Sequence, residues 1–220
     1  DAQESRGLGD VYKRQVIGRA CLEALMDVLK SIREIRLCDI DEAAAKRYAE
    51  ELREKYKVSV KVAASVEEAV RGSDVVNVAT SGSVSPRIED EWLKEGALLT
   101  LPASADISET LMMDSRIVVD NWEMYEAYAE ELRNAKGGFG KNLSGICGFM
   151  MDLVWDGKIR KEDITGLGDV AAGKAERRHD DKEKVIFIMD GMPIEDLAWG
   201  YTIYRNALEQ GLSLIHISEP

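Results

Sequence analysis

Val16-Ile17-Gly18-Arg19-Ala20-Cys21-Leu22-Glu23-Ala24-Leu25-Met26, followed by Glu34-Ile35-Arg36-Leu37-Cys38-Asp39, is the stretch whose reading decides the fold. A glycine opens an apolar-striped helix, and a short strand ends on an acid 21 residues after that glycine. This is the second half of a dinucleotide-binding fingerprint, in which the helix N-terminus faces a pyrophosphate and the acid accepts hydrogen bonds from a ribose. The whole pattern, Gly-x-Gly-x-x-Gly, needs two further glycines at positions 13 and 15. The chain has Lys13 and Gln15 there, so only Gly18 remains.

Upstream, Asp1 to Gln15 does not read as the strand that such a helix should follow. The segment is polar and glycine-broken, whereas a strand buried on both faces is a near-continuous Val/Ile run. Asp10-Val-Tyr-Lys-Arg-Gln15 resembles translated sequencing-adapter read-through, and Leu212 to Pro220 resembles the same at the other end. The genuine protein is therefore expected from about Val16 to about Leu212, truncated at both ends; an unusual natural terminus is the alternative.

Downstream, helix and strand patterns alternate. Cys21, Leu22, Leu25, Val28, Leu29 and Ile32 form one apolar stripe. Asp41 caps a helix to about Tyr56, and Ser65 with Glu68 forms a capping box for Val66 to Arg71. Strands are expected near 35–38, 58–62, 75–79, 97–101 and 116–119, the last closing the series. Strands separated by helices of this length imply an α/β, Rossmann-like, doubly wound parallel sheet. Beyond Asn121 come helices at about 121–133, 143–155, 165–173 and 193–210 around one strand, 184–189, which joins this sheet or a small companion layer. The expected organisation is a dinucleotide-binding domain over 16–135 without its first strand, then a helical part over 136–212 that completes the fold. Residues 1–15 and 213–220 are read as a non-native leader and tail.

Composition excludes several classes. With 220 residues, 45% hydrophobic and 32% charged, the chain has length for one sizeable core. A net charge of −12 argues against nucleic acid as a partner, because phosphate binding needs clustered Lys and Arg. No apolar run approaches the ~20 residues of a membrane span, so no membrane partner is expected. Cys21, Cys38 and Cys147 have neither metal nor disulfide spacing, and their odd number fits a reducing cytoplasm. Only two histidines occur, so no histidine-rich metal site is expected.

Candidate cofactor residues follow from the fingerprint. Gly18 allows helix and pyrophosphate to approach closely; the plainer reading is a helix start. Asp39 at a strand end would bind the adenine ribose, and its charge would repel a 2′-phosphate, so NAD is preferred over NADP. Asp41 is read first as a helix cap. Arg19 reaches a phosphate or lies in solvent. Thr80 and Ser81, just past a strand's carboxyl end, lie where open α/β sheets bind ligands; a plain turn is the alternative.

Together these segments resemble the ornithine cyclodeaminase/μ-crystallin family. Val16-Ile17-Gly18-Arg19 is similar to the end of its Gly-x-Gly-x-x-Gly-Arg loop, and Ser73 to Ser81 to its fourth-strand segment ending in a Thr-rich turn. Glu91 to Gly96 resembles Trp-Leu-Lys-x-Gly. Ser104-Ala105-Asp106 stands where the family has Gly-Ala-Asp or Gly-Gly-Asp. Ile164 to Lys174, followed by Asp180 and Asp181, resembles Leu-Gly-Glu-Val-x-x-Gly-Lys, and Gly191 to Leu197 resembles Gly-x-Ala-x-Glu-Asp-Leu. Six weak landmarks in order, from Val16 to about Gly211, make a family-level likeness.

The resemblance implies an NAD-dependent enzyme acting on a small amino acid, ornithine cyclodeaminase-like. Hydride leaves the substrate α-carbon for NAD⁺, a side-chain amine attacks the imine, ammonia leaves and hydride returns. Asp106 is then the catalytic acid–base; its alternative is the N-cap of the following helix, and it has no basic partner close in sequence. Ala103 and Gly191 would pass near the cofactor. An amino-acid dehydrogenase or ketimine reductase of the same family, or a non-catalytic μ-crystallin-like nucleotide-binding protein, are the other readings. Family members carry on the order of a hundred further N-terminal residues, which supply substrate-binding Arg and Lys and the interface of a homodimer. The family's Asp-x-Pro-Gly-Lys also departs here to Asp106-Ile-Ser-Glu-Thr110.

Overall fold

The computed structural model describes residues 16–80, 85–134 and 145–212. Helix α1 covers 16–28 and is followed by β1 (Glu34–Leu37). Asp41 opens α2 (Glu42–Tyr56) by accepting from the Ala44 amide at 2.9 Å, and Lys57 ends it at φ 56°. β2 (Ser59–Val62) runs parallel to β1, Glu34 opposite Ser59. Ser65 accepts from the Glu68 amide at 3.1 Å while the Glu68 carboxylate reaches back to the Ala64 amide at 2.8 Å. This reciprocal cap opens α3 (Val66–Val70), only five residues long. Ile35, Ala49, Leu52 and Val60 form the core of this α1–β1–α2–β2 layer.

The remaining strands are β3 (Val75–Asn77), β4 (Arg87–Ile88), β5 (Leu98–Leu101), β6 (Asp106–Ile107), β7 (Arg116–Val119), β8 (Ile164–Gly166) and β9 (Val185–Ile188). Between them lie α4 (Glu109–Met113), α5 (Trp122–Asn134), α6 (Gly145–Trp155) and α7 (Leu167–Ala171). Every strand pairing among the described residues is parallel. The main sheet has the order β3-β5-β9-β7-β8, while β1-β2 and β4-β6 form ladders of their own. The fold is thus the Rossmann-like α/β class expected from the alternation of elements.

β9 joins the main sheet, the first of the two placements expected for it: it lies between β5 and β7, and its Ile186 and Ile188 are fully buried. The run Val185-Ile-Phe-Ile188 suits that place because a central parallel strand is covered on both faces. β7 does not close the series, since β8 pairs beyond it through Ile117↔Ile164. Residues 164–166 are therefore strand, and the helix expected over 165–173 begins only at Leu167. Val28, placed in the apolar stripe of α1, is 77% exposed. The rest of the stripe (Cys21, Leu22, Leu25, Leu29, Ile32) is only half-buried, because α1 rests on the two-stranded ladder and no described strand joins β1 to β3.

By internal contacts the chain forms two units, 1–189 and 190–220. In the second, α8 (Pro193–Glu209) starts with proline, whose missing donor is harmless in a first turn, and with Glu195 and Asp196 favouring the helix dipole. No helix among the described residues is long and apolar enough to cross a membrane.

One turn ties the loop before β9 to the start of β5. Gly96 sits at φ +73°, and a Cβ there would fall 2.2 Å from the Asp181 carbonyl oxygen. Its amide donates to Lys182 O at 2.8 Å, and its carbonyl accepts from Arg178 at 3.0 Å. Gly96→Ala is expected to cost about 1–2 kcal/mol through the left-handed backbone alone. The clash adds to that, and the loss is read as a lower urea midpoint at unchanged slope.

Candidate active site

In a parallel α/β sheet the helices return on the faces, so the carboxyl ends of the strands are left open for ligands. Asp39, Thr80 and Ala103 follow the carboxyl ends of β1, β3 and β5. Beyond β3 and β5 the chain continues as a short second ladder. The Ala103 amide donates to Val78 O at 3.1 Å, the Asp106 amide to Pro86 O at 2.9 Å, and β4 pairs with β6 so that Arg87 stands opposite Asp106. Asp106 is thereby held by backbone on the far side of a buried residue, Ala105, with its own side chain 58% exposed.

The alternative role for Asp106 does not hold. The cap of α4 is Ser108, whose hydroxyl accepts from the Leu111 amide at 3.0 Å. The absence of a basic partner near it in sequence is likewise overturned in space: Arg87 Nη1 donates to Asp106 Oδ1 at 3.0 Å. The same guanidinium grips Glu89 with its other edge, Nε to Oε1 at 2.8 Å and Nη2 to Oε2 at 3.1 Å. The Arg87 guanidinium is held above its ordinary proton affinity, first by Glu89 and then by Asp106, and Glu89 is held below the usual carboxylate range by Arg87.

Ser104 anchors the loop ahead of Asp106. Its hydroxyl accepts from the Ile146 amide at 3.3 Å, at the start of α6, and Gly145 passes so close that a Cβ would lie 2.2 Å from that oxygen. α6 buries Ile146, Cys147, Met150, Met151 and Leu153, so the loop rests on a rigid element.

The cofactor candidates divide. Gly18 packs on the carboxyl end of β3, where a Cβ would meet the Ala79 Cβ at 3.5 Å. Helix start and strand end thus converge, as a pyrophosphate site requires. Asp39 follows β1, exposed, and uses Oδ1 to accept from the Asp41 amide at 2.9 Å. That bond orients the carboxylate and leaves the second oxygen for a ribose hydroxyl. The residues present therefore fit the adenosine end of NAD. Thr80 is exposed just past β3, Ser81 lies outside the described residues, and Gly191, at φ +84°, belongs to the second unit.

Arg19 is engaged elsewhere. Its guanidinium lies 4.1 Å from the Tyr48 ring centroid and pairs with Glu51 at 2.5 Å. One turn on, Glu23 pairs with Lys55 at 2.6 Å, so the two helices are stitched in register. Burial pushes the Tyr48 phenol up to about 12, and Glu51 is held below its usual range by Arg19. Arg19 serves here as an α1–α2 clamp, through an exposed ion pair that solvent screens. Cys38, beside Asp39, has its thiol pushed up by partial burial, which makes it a poor nucleophile.

Two residues escaped the sequence reading. Asp120, at the carboxyl end of β7, is 5% exposed and accepts from the Asn121 amide at 2.9 Å. Its signal was position alone, an acid directly after the run Arg116-Ile-Val-Val119. Arg87 had no signal, because its partner lies 19 residues away across a two-residue ladder.

Comparison with known proteins follows this geometry. The model of the ornithine cyclodeaminase/mu-crystallin family matches residues 16–211. An alanine dehydrogenase from Archaeoglobus fulgidus is 30% identical over 199 residues, covering 87% of this chain and 54% of that protein. An archaeal alanine dehydrogenase dimer solved with bound NAD is 28% identical with a TM-score of 0.66, over 87% of this chain and 54% of that one. The Δ1-pyrroline-2-carboxylate reductase of Thermococcus litoralis, solved with NADH and L-proline, gives a TM-score of 0.68 over 89% of this chain and 56% of that one. At 24% identity that likeness is one of fold. The chain spans about half the length of the curated relatives it matches.

Proposed function

The chain belongs to the ornithine cyclodeaminase/mu-crystallin family, and on that premise we propose that it binds NAD and acts on a small amino acid by hydride transfer at the α-carbon. The observation that carries the reading is Asp106, a half-exposed carboxylate fixed by backbone in the segment that follows the carboxyl end of β5. Likeness to an alanine dehydrogenase at 30% identity favours an amino-acid dehydrogenase or imine reductase. Cyclisation with loss of ammonia is the finer version, for a substrate with an ornithine-like side chain. A homodimer is part of the same proposal.

Gly18 and the start of α1 would hold the pyrophosphate, and Asp39 the adenine ribose. When bound, NAD⁺ supplies the hydride acceptor. Asp106 does the proton work: its carboxylate takes a proton from the substrate ammonium as the C–N bond gains double-bond character, and returns one in the reverse direction. Asp120, buried at the neighbouring strand end, stiffens the turn into α5 by accepting from the Asn121 amide.

The test is calorimetry with NAD together with NADH absorbance in the presence of amino acids, on the chain carrying Lys13→Gly and Gln15→Gly. Asp39→Ala is expected to weaken NAD by about 1–3 kcal/mol, the worth of hydrogen bonds from ribose hydroxyls to a charged group. Asp106→Asn is expected to leave NAD affinity unchanged and remove NADH formation in the form that turns over. Unaltered affinity in the Asp39 variant would remove the ribose assignment.

A further inference from the structure

Arg87 is assigned no role by the family resemblance, yet among the described residues it is the charged group paired with the proposed acid–base. We propose that Arg87 is a positioning residue: it fixes the orientation of the Asp106 carboxylate, and Glu89 in turn fixes Arg87. This rests on the reading of Asp106 as the acid–base given above.

Three observations carry it. First, the parallel register places Arg87 directly opposite Asp106. Neighbouring side chains of paired strands stand on the same face about 5 Å apart, so the two groups meet without any long reach. Second, Glu89 takes the Nε–Nη2 edge of the guanidinium in a two-point grip. A planar fork held at two points has a fixed plane, which leaves Nη1 as a directed donor toward Asp106 Oδ1. Third, Asp106 Oδ2 has no protein partner among the described residues, and the side chain is 58% exposed. One oxygen is thus tethered and the other left free to exchange a proton with substrate.

The arrangement also explains why an exposed carboxylate can be aimed. An unrestrained aspartate samples several rotamers, and proton transfer needs one geometry within hydrogen-bond reach. The backbone bond from the Asp106 amide to Pro86 fixes the Cα, and Arg87 fixes the side chain. A lysine at 87 would keep the charge and lose the planar fork.

The test needs neither cofactor nor substrate. The chain is labelled with ¹³C at aspartate carboxyls, and the Asp106 line is identified by its loss in Asp106→Asn. Arg87→Leu is expected to shift and broaden that line while the Asp106 backbone amide keeps its protection from exchange. Arg87→Lys should restore part of the wild-type position. Glu89→Gln should broaden the Arg87 guanidinium signals and weaken the effect on Asp106. An unmoved Asp106 line in folded Arg87→Leu overturns the proposal. Loss of Asp106 amide protection in that variant overturns it as well, because Arg87 would then hold the strand pair and not the carboxylate. Unimpaired NADH formation by Asp106→Asn would instead remove the catalytic role of Asp106 and leave this pair standing.

Discussion

Replacing Ile186 by alanine is expected to lower the unfolding free energy by about 2–5 kcal/mol, a large share of the 5–15 kcal/mol typical of a domain. Ile186 is fully buried on β9, directly between Leu99 of β5 and Ile117 of β7. Removing its outer methylenes opens a cavity in the middle of a five-stranded sheet, where rigid strands on both sides limit collapse. Ile186→Val should cost only about 0.5–1.5 kcal/mol. Urea titrations followed by circular dichroism check both. A loss below 1 kcal/mol for the alanine variant would mean that β9 is not central.

The second large effect concerns the cofactor. Lys13→Gly with Gln15→Gly, preceded by a Val/Ile run, is expected to tighten NAD binding by about a hundredfold or more. A side chain at each position where the fingerprint has glycine would cost about 1–3 kcal/mol in overpacking against the phosphates, and 1.4 kcal/mol is tenfold in affinity. Among the described residues no strand connects β1 to β3, and Gly18 lies beside Ala79, just past β3. An added strand ahead of α1 would cover its half-buried stripe and set the loop ahead of Gly18. Calorimetry decides it: no NAD binding by the altered chain would refute the cofactor assignment.

The fold was legible wherever local chemistry and burial agree. Asp41 and Ser65 cap the helices that their spacing announced, because a side-chain oxygen three residues ahead of an amide reaches it within the same turn. The apolar pattern of 97–101 and 116–119 marked buried strands for a similarly local reason, while β3 is shorter than its pattern and half-buried. Within the candidate site, Gly18 and Asp39 were read as candidates because helix starts and strand ends are sequence features, and open α/β sheets bind there; Asp106 was singled out by the family resemblance. Arg19 was legible as a cation but not as a clamp, since Tyr48 and Glu51 reach it only when α1 and α2 lie side by side.

By itself, then, the sequence determined the class of element at most positions and the parallel architecture, and the family resemblance it carries singled out Asp106 as the candidate acid. Only the tertiary structure decided strand order. β9 follows β8 in the chain yet sits between β5 and β7, because burial on two faces is a property of neighbours that no single strand encodes beyond being apolar. It also decided the electrostatic setting of Asp106, which depends on Arg87 across a ladder of two residues. Pairing of that kind is fixed by register between segments distant in the chain, and one residue of slip would turn Arg87 to the opposite face.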